Sequence, residues 1–250
     1  MACREEGSLN ALICADFREF LEKTPYKFRM VFADPPDNIN LGYKGFKDKS
    51  DETSYRHMLT EILYGSARIS DILWLSFNPI HIPVVGSLTC DFLGTHHDWE
   101  FKACVQTFTF GQHNHKDLGI GHRPLYRYKR KGTEIYPDAI RVPSWRQLNG
   151  DKRADSRGRV PLDVFDFPRV TGNSKQRRSF SPTQLHEGLY ERCIKLCCKP
   201  GDVVVDLFAG SGTLGRVAPR CGVHPIMVEI SRETCDSILS DQNCLEEKLC

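Results

Sequence analysis

The chain has no apolar run near the roughly 20 residues that a membrane-spanning helix requires. Its first residues, Met1-Ala2-Cys3-Arg4-Glu5-Glu6, are too acidic and polar for a secretory leader. The expectation is a soluble, cytoplasmic protein with no membrane partner. Eleven cysteines include no Cys-x-x-Cys pair and are scattered through apolar segments, which argues against a disulfide scaffold and for reduced, buried thiols. His113, His115 and His122 lie close together, but with no matching cysteine pattern no metal site is assigned. There is no internal repeat and no low-complexity tract, and 250 residues at 40% hydrophobic content are enough for one domain with an elaboration.

A net charge of only +2 conceals an uneven distribution. Residues 122–180 hold 15 Lys and Arg against 6 Asp and Glu, and the remainder holds 19 against 26. A basic block in an acidic body is a candidate polyanion-binding surface, or else a solvated loop-rich face.

Before that block the pattern alternates strand and helix. Leu9 to Ala15 reads as a strand, Phe17 to Lys23 as a helix and Phe28 to Ala33 as a buried strand stopped by Pro35 and Pro36. Tyr55, Met58, Leu59, Ile62 and Leu63 have the spacing of one helical face over Glu52 to Ile69, and Asp71 to Phe77 is an apolar strand. That alternation is the grammar of a parallel sheet. Trp99 to Phe110 and Leu125 to Lys129 read as an antiparallel pair. Residues 132–180 carry four prolines and no helical periodicity, with Tyr136, Trp145, Phe165 and Phe167 as aromatic anchors. Ser181-Pro182-Thr183-Gln184 has the form of a capping box opening a helix that runs to about Cys198. Val203 to Phe208 then reads as a strand, Gly212 to Arg220 as a helix closed by Gly222, Pro225 to Ile230 as a strand, and Ser231 as the cap of a last helix.

Two motifs carry the chemistry. After the strand ending at Asp206, Phe208-Ala209-Gly210-Ser211-Gly212-Thr213 lets backbone pass close to a ligand at a helix start. Glu229 ends the next strand, 19 residues beyond Gly210, where a carboxylate can accept from both hydroxyls of a ribose. Gly210-x-Gly212-x-x-Gly215 also satisfies the dinucleotide fingerprint, so a nicotinamide-dependent oxidoreductase is a rival, but no Lys precedes Thr213 as a phosphate-binding Walker loop requires. Only 21 residues follow Glu229, too few for the rest of a nucleotide-binding sheet. The missing strands must come from upstream, which implies a circularly permuted sheet with the strand ending at Asp34 beside the one ending at Asp206. Asp34-Pro35-Pro36 would then lie at the carboxyl rim, where open α/β sheets bind ligands. A carboxylate and a carbonyl accepting the two N–H bonds of a nucleobase amine would localise its lone pair, and two prolines hold that carbonyl without competing donors.

With these motifs in this order, the chain resembles the permuted, β-type DNA amino-methyltransferases, which transfer methyl from S-adenosylmethionine to adenine N6 or cytosine N4. Asp16 resembles the acidic residue that contacts the cofactor adenine, Asp34-Pro35-Pro36 the start of the catalytic tetrapeptide, and Thr183 belongs to the segment completing the methionine pocket. The resemblance implies a three-layer Rossmann-like fold with a mostly parallel twisted sheet. It divides the chain into a catalytic half at 1–131, a basic target-recognition insertion at 132–180 and a cofactor half at 181–250. Asp34, Pro35, Pro36 and Asp37 are the implied catalytic set. Asp16, Thr183, Asp206, Phe208, Ala209, Gly210, Ser211, Gly212, Thr213 and Glu229 are the implied cofactor set. Within the insertion, Arg141, Trp145, Arg146, Lys152, Arg153, Arg157, Arg159, Lys175, Arg177 and Arg178 are the candidate DNA contacts, about half of which would instead pair with neighbouring aspartates.

Asp37 departs from the family, which has a base-stacking aromatic there. Tyr43, Phe46 or a residue of the basic block would have to stack instead, or the chain is a catalytically impaired DNA-binding relative. Asp in place of Ser at the first position leans toward adenine over cytosine; RNA or protein glutamine are further substrates to exclude. Double-stranded DNA is the expected partner, and a second copy of the chain and a cognate restriction enzyme are the others this class admits.

Overall fold

A computed structural model describes residues 10–43, 46–108, 114–242 and 246–248, with backbone only for 43, 46 and 246–248. Leu9, Phe110 and His113, which figured in the readings above, lie outside the described residues, as do the side chains of Tyr43 and Phe46.

The strands are β1 (Ala11–Cys14), β2 (Met30–Ala33), β3 (Gly42–Tyr43), β4 (Phe46–Lys47), β5 (Ile72–Ser76), β6 (Trp99–Thr107), β7 (His122–Arg130), β8 (Val164–Asp166), β9 (Val203–Asp206), β10 (His224–Glu229) and β11 (Glu246–Lys248). Nine of them form one sheet in the order β11-β1-β10-β9-β2-β5-β7-β6-β8, and β3 and β4 form a separate hairpin. The strands from β11 to β5 are parallel, and β7 closes antiparallel on β5. Phe32 of β2 stands opposite Asp206 of β9, so a strand from the start of the chain lies beside one from near its end.

Helices α1 (Phe17–Lys23), α2 (Glu52–Ile69) and α3 (Ile82–Thr95) cover one face; α5 (Glu187–Cys197), α6 (Thr213–Val217) and α7 (Arg232–Asp241) cover the other, and α4 (Trp145–Leu148) is a single turn. Coverage on both sides explains why Met30–Ala33 and Ile72–Ser76 are apolar nearly throughout and wholly buried. Side chains alternate between two cores: Val31, Ala33, Leu73 and Leu75 face α1–α3, while Met30, Phe32, Ile72 and Trp74 face α5–α7. A Cβ on Gly65 would come within 2.6 Å of Leu21 Cδ1, so a larger residue there would make the Leu21 side chain shift between α1 and α2.

Three expectations change. Ser181 does not open a helix: its hydroxyl donates to the Thr183 carbonyl at 2.7 Å, and α5 starts at Glu187, capped by His186 Nδ1 accepting from Gly188 N–H at 3.0 Å. The intervening residues are drawn to a cavity wall, and a full capping box forms instead at Ser144 and Gln147. The helix after Gly212 ends at Val217, because Pro219 turns the chain into a 3₁₀ segment before Gly222. The basic block is not irregular throughout, since β8 extends the sheet edge beside β6, and Phe165 is buried there against Trp74 with ring centroids 5.7 Å apart.

Phe92 of α3 is fully buried between Tyr64, His96, Trp99 and Tyr128, with ring centroids 4.4 to 5.9 Å away. Phe92→Ala is expected to lower unfolding free energy by about 3–5 kcal/mol, read as a reduced urea midpoint at unchanged slope.

Candidate active site

The carboxyl ends of the parallel strands carry a row of acids. Asp16 follows β1, Glu229 ends β10, Asp206 ends β9 and Asp34 follows β2, so their order across the rim follows from the strand order. A cavity of about 310 Å³ opens along it, lined by Asp16, Asp34, Pro36, Thr183, Phe208, Ala209, Gly210, Ser211, Thr213 and Glu229 among others. Apart from Gly212, Pro35, Asp37 and the buried Asp206, every residue of the expected catalytic and cofactor sets borders this one space.

Each acid is held differently. Asp16 caps α1, accepting from Arg18 N–H at 2.8 Å and pairing with the Arg18 guanidinium at 3.2 Å. Glu229 accepts from the N–H of Gly210 at 3.0 Å and of Ser231 at 2.9 Å, one on each oxygen. Burial raises its pKa against those two bonds, and each oxygen keeps further lone-pair capacity. Asp206 is fully buried, taking the Tyr190 hydroxyl and the Phe208 N–H, each at 3.0 Å. Burial, helped by Asp34 and Glu229, pushes its pKa up to about 8 despite both bonds. Tyr190 stays a protonated donor because burial and Asp206 raise its own pKa well above the usual value.

Asp34 is tied into a network that sequence reasoning did not find. The Arg123 guanidinium bonds Asp34 Oδ1 at 2.7 Å and both Asp37 oxygens at 3.0 Å, and its Nε donates to the Ser76 hydroxyl at 2.7 Å. Burial raises the Asp34 pKa, Arg123 opposes it, and Asp37 adds to the rise. Burial also works against a charged Arg123, but the two aspartates outweigh it and its pKa is raised. Asp37 is only 5% exposed and does not border the cavity; its carboxylate faces Arg123 instead. The available signal was that a carboxylate beside a buried strand end needs a cation, and Arg123 begins the antiparallel strand next to β5. Tyr55 was also missed; it lines the cavity, and its hydroxyl donates to the Pro36 carbonyl at 3.0 Å.

The cavity suits a purine nucleoside bearing an amino-acid tail. Phe17 and Phe208, with ring centroids 5.0 Å apart, join Val228 and Ile230 in an apolar wall beside Asp16, and Glu229 offers acceptors for a ribose diol. Gly210 and Gly212 have φ of +51° and +70°, and a Cβ on Gly212 would strike Gln242 Nε2 at 2.4 Å. Gly215 serves packing instead, since its Cβ would fall 2.2 Å from Gln242 Oε1 and 2.7 Å from Met227 Cε. Thus the third glycine of the dinucleotide-like spacing supports the fold and does not line the ligand space.

In the basic block, Trp145 is 74% exposed, and Arg146, Lys152, Arg159 and Lys175 are also exposed. Arg153 and Arg157 are exposed but paired with Asp151 and Asp155, each at 3.0 Å. Arg141, Arg177 and Arg178 are engaged within the chain. Arg141 bonds Asp138 and the Gly158 carbonyl, Arg177 the Ser181 carbonyl, and Arg178 bonds Asp241 at 2.8 Å.

Comparison with known proteins points to one family. The DNA methylase model for N6/N4 methyltransferases matches residues 28–240. The type II methyltransferase M.ScaI of Streptomyces caespitosus is 26% identical over 236 residues, covering 88% of this chain and 77% of that protein. The DNA adenine methyltransferase YhdJ of Escherichia coli K12 is 29% identical over 242 residues, covering 89% and 79%. The fold is shared with the crystal structure of the M1.HpyAVI–SAM complex at a TM-score of 0.60 and 17% identity, over 92% of this chain and 98% of that one.

Asp206 supplies a pH test on the ligand-free protein. Its raised pKa means that the unfolded chain ionises first, so its contribution to stability is complete at low pH and is lost as pH rises to about 8. Asp206→Asn, which cannot ionise, is expected to gain stability relative to the wild type over that interval, checked by urea unfolding at successive pH values.

Proposed function

The chain belongs to the N6/N4 DNA methylase family and is an S-adenosylmethionine-dependent DNA methyltransferase, and from that premise we propose that it methylates N6 of an adenine turned out of a duplex, with Asp34 receiving the amine. The observation that carries this reading is the placement of Asp34 and Glu229 on one cavity of about 310 Å³, so that the acceptor for the amine and the acceptor for the cofactor ribose face the same space.

Bound S-adenosylmethionine supplies a methyl group made electrophilic by its sulfonium. Glu229 would hold the ribose hydroxyls, Asp16 the adenine amine, and Ser211, Thr213 and Thr183 the methionine end. Asp34 and the Pro35 carbonyl would accept the two N–H bonds of the target amine and concentrate its lone pair on nitrogen. The Tyr55 hydroxyl fixes the neighbouring Pro36 carbonyl, which steadies the turn on which that geometry depends. Extruding the base costs a few kcal/mol, and the exposed Trp145, Arg146, Lys152, Arg159 and Lys175, with Arg153 and Arg157 at the rim, supply aromatic and cationic surface for the DNA. Arg141, Arg177 and Arg178 do not belong to that surface, because they are half-buried as well as bonded within the chain.

Adenine is preferred over cytosine on Asp34 and on the similarity to a DNA adenine methyltransferase. The similarity to type II methyltransferases supports a setting in which methylation protects sites from a cognate restriction enzyme, in the cytoplasm. Assembly as a homodimer is a separate expectation that light scattering decides. Among the described residues no helix is long and apolar enough to cross a membrane.

Asp34→Ala is expected to lower kcat by at least about 1,000-fold, measured by tritiated methyl transfer to duplex DNA, with the cofactor Kd unchanged by calorimetry. Retained turnover would refute the role given to Asp34. Nucleoside digestion of the wild-type product is expected to yield N6-methyldeoxyadenosine; N4-methyldeoxycytidine would reverse the base preference. Glu229→Ala is expected to weaken cofactor binding about 10- to 100-fold, the loss of hydrogen bonds to a charged acceptor.

A further inference from the structure

We propose that Arg123 is a positioning residue for Asp34 and that Asp37 is present to hold Arg123, replacing base stacking at that position by a charge clamp. The inference rests on the reading that Asp34 receives the target amine.

Asp37 takes two guanidinium bonds of 3.0 Å, one on each oxygen, the bidentate arrangement that orients an arginine. Its backbone carbonyl is bonded by His81 Nε2 at 2.7 Å, so the acid is fixed at both ends. The guanidinium then reaches Asp34 Oδ1 and, through Nε, the Ser76 hydroxyl at the end of β5. Asp34 is therefore held from β7 by a guanidinium that is itself anchored on β5, while it remains 18% exposed and borders the cavity.

The clamp has an electrostatic effect as well as a geometric one. Burial and the neighbouring Asp37 charge both push Asp34 toward its protonated form. A protonated Asp34 offers the amine a donor on one oxygen in place of an acceptor. Arg123 is the cation bonded directly to Asp34, and it favours the ionised carboxylate there. The other groups facing Asp34 are Asp206 on β9, Tyr190 from α5, Tyr55 from α2, and Lys47, which shares the cavity. None of these is hydrogen-bonded to Asp34 in the described residues. Lysine could supply charge at position 123 but not a fork that spans two carboxylates and a hydroxyl.

The test compares Arg123→Gln, Arg123→Lys and Asp37→Asn with the wild type, each shown by calorimetry to bind S-adenosylmethionine. For Arg123→Gln, kcat is expected to fall by at least about tenfold at pH 7 with the DNA KM little changed. The acidic limb of kcat against pH should move to higher pH, so that the deficit shrinks by about tenfold between pH 6 and pH 9, one pKa unit being a tenfold effect. Arg123→Lys should restore the pH limb but only part of kcat, and Asp37→Asn should lose kcat with no upward move of the acidic limb, because the carboxylate it removes raises the Asp34 pKa. A wild-type profile in Arg123→Gln, or a loss equal at every pH, would overturn the clamp. Should Arg123→Gln fail to fold, Asp37→Asn decides: wild-type kcat in that variant overturns the proposal, and a lowered kcat with intact cofactor binding supports it. Asp34→Ala, which removes the acceptor altogether, separates the two levels. If it is active, the underlying reading of Asp34 fails; if it is inactive while Arg123→Gln behaves as wild type, only the clamp fails.

Discussion

The parallel pairing of β2 with β9 is the constraint on which the rest of this structure depends. It sets Phe32 opposite Asp206 and so brings the Asp-Pro-Pro turn next to the glycine loop, although most of the chain separates them in sequence. Ligands of open α/β sheets gather at the carboxyl rim, and here the rim is assembled from β1, β10, β9 and β2 in turn. A different neighbour for β2 would leave the two motifs intact and the cavity between them gone.

The same pairing creates an electrostatic difficulty, because it crowds carboxylates where water is scarce. The chain meets it in four ways. Asp16 sits at a helix start beside Arg18, Glu229 takes two backbone N–H groups, Asp206 holds a proton up to about pH 8 beside Tyr190, and Asp34 shares Arg123 with Asp37. The net result is a cavity bordered by acceptors, suited to ribose hydroxyls, to amines and to a sulfonium cation, and poorly suited to phosphates. The glycine spacing alone does not make that distinction; the acids around it do.

How much of this was legible in the sequence depended on how local the signal was. Helix α2 could be bounded at Glu52 and Ile69 because its apolar stripe is a local signal, and the structure adds an Asp51 cap at its start. The strands leading to Asp34 and Asp206 were legible as apolar runs followed by proline or a glycine loop, and the one at Glu229 as an apolar run followed by the Ser231 cap. The helix expected at Ser181 was not formed there, because the cavity wall and Arg177 claim those residues. Helix α3 carries glycines at 86 and 94 and gave no clear reading, although Pro83 in its first turn is a usual start signal. Arg123 was invisible for a deeper reason: its role exists only once β7 folds back antiparallel on β5 and delivers it to acids far away in sequence. In the basic block, sequence gave charge but not direction, so Arg178, which reaches across to Asp241, looked the same as exposed Arg146.

The most direct measurement is a crystal structure of the protein with S-adenosylhomocysteine. The account predicts ribose hydroxyls on Glu229, the adenine beside Asp16 and Phe17, and the sulfur turned toward Asp34. Ligand bound away from the β2–β9 rim, or with its sulfur directed away from Asp34, would contradict it.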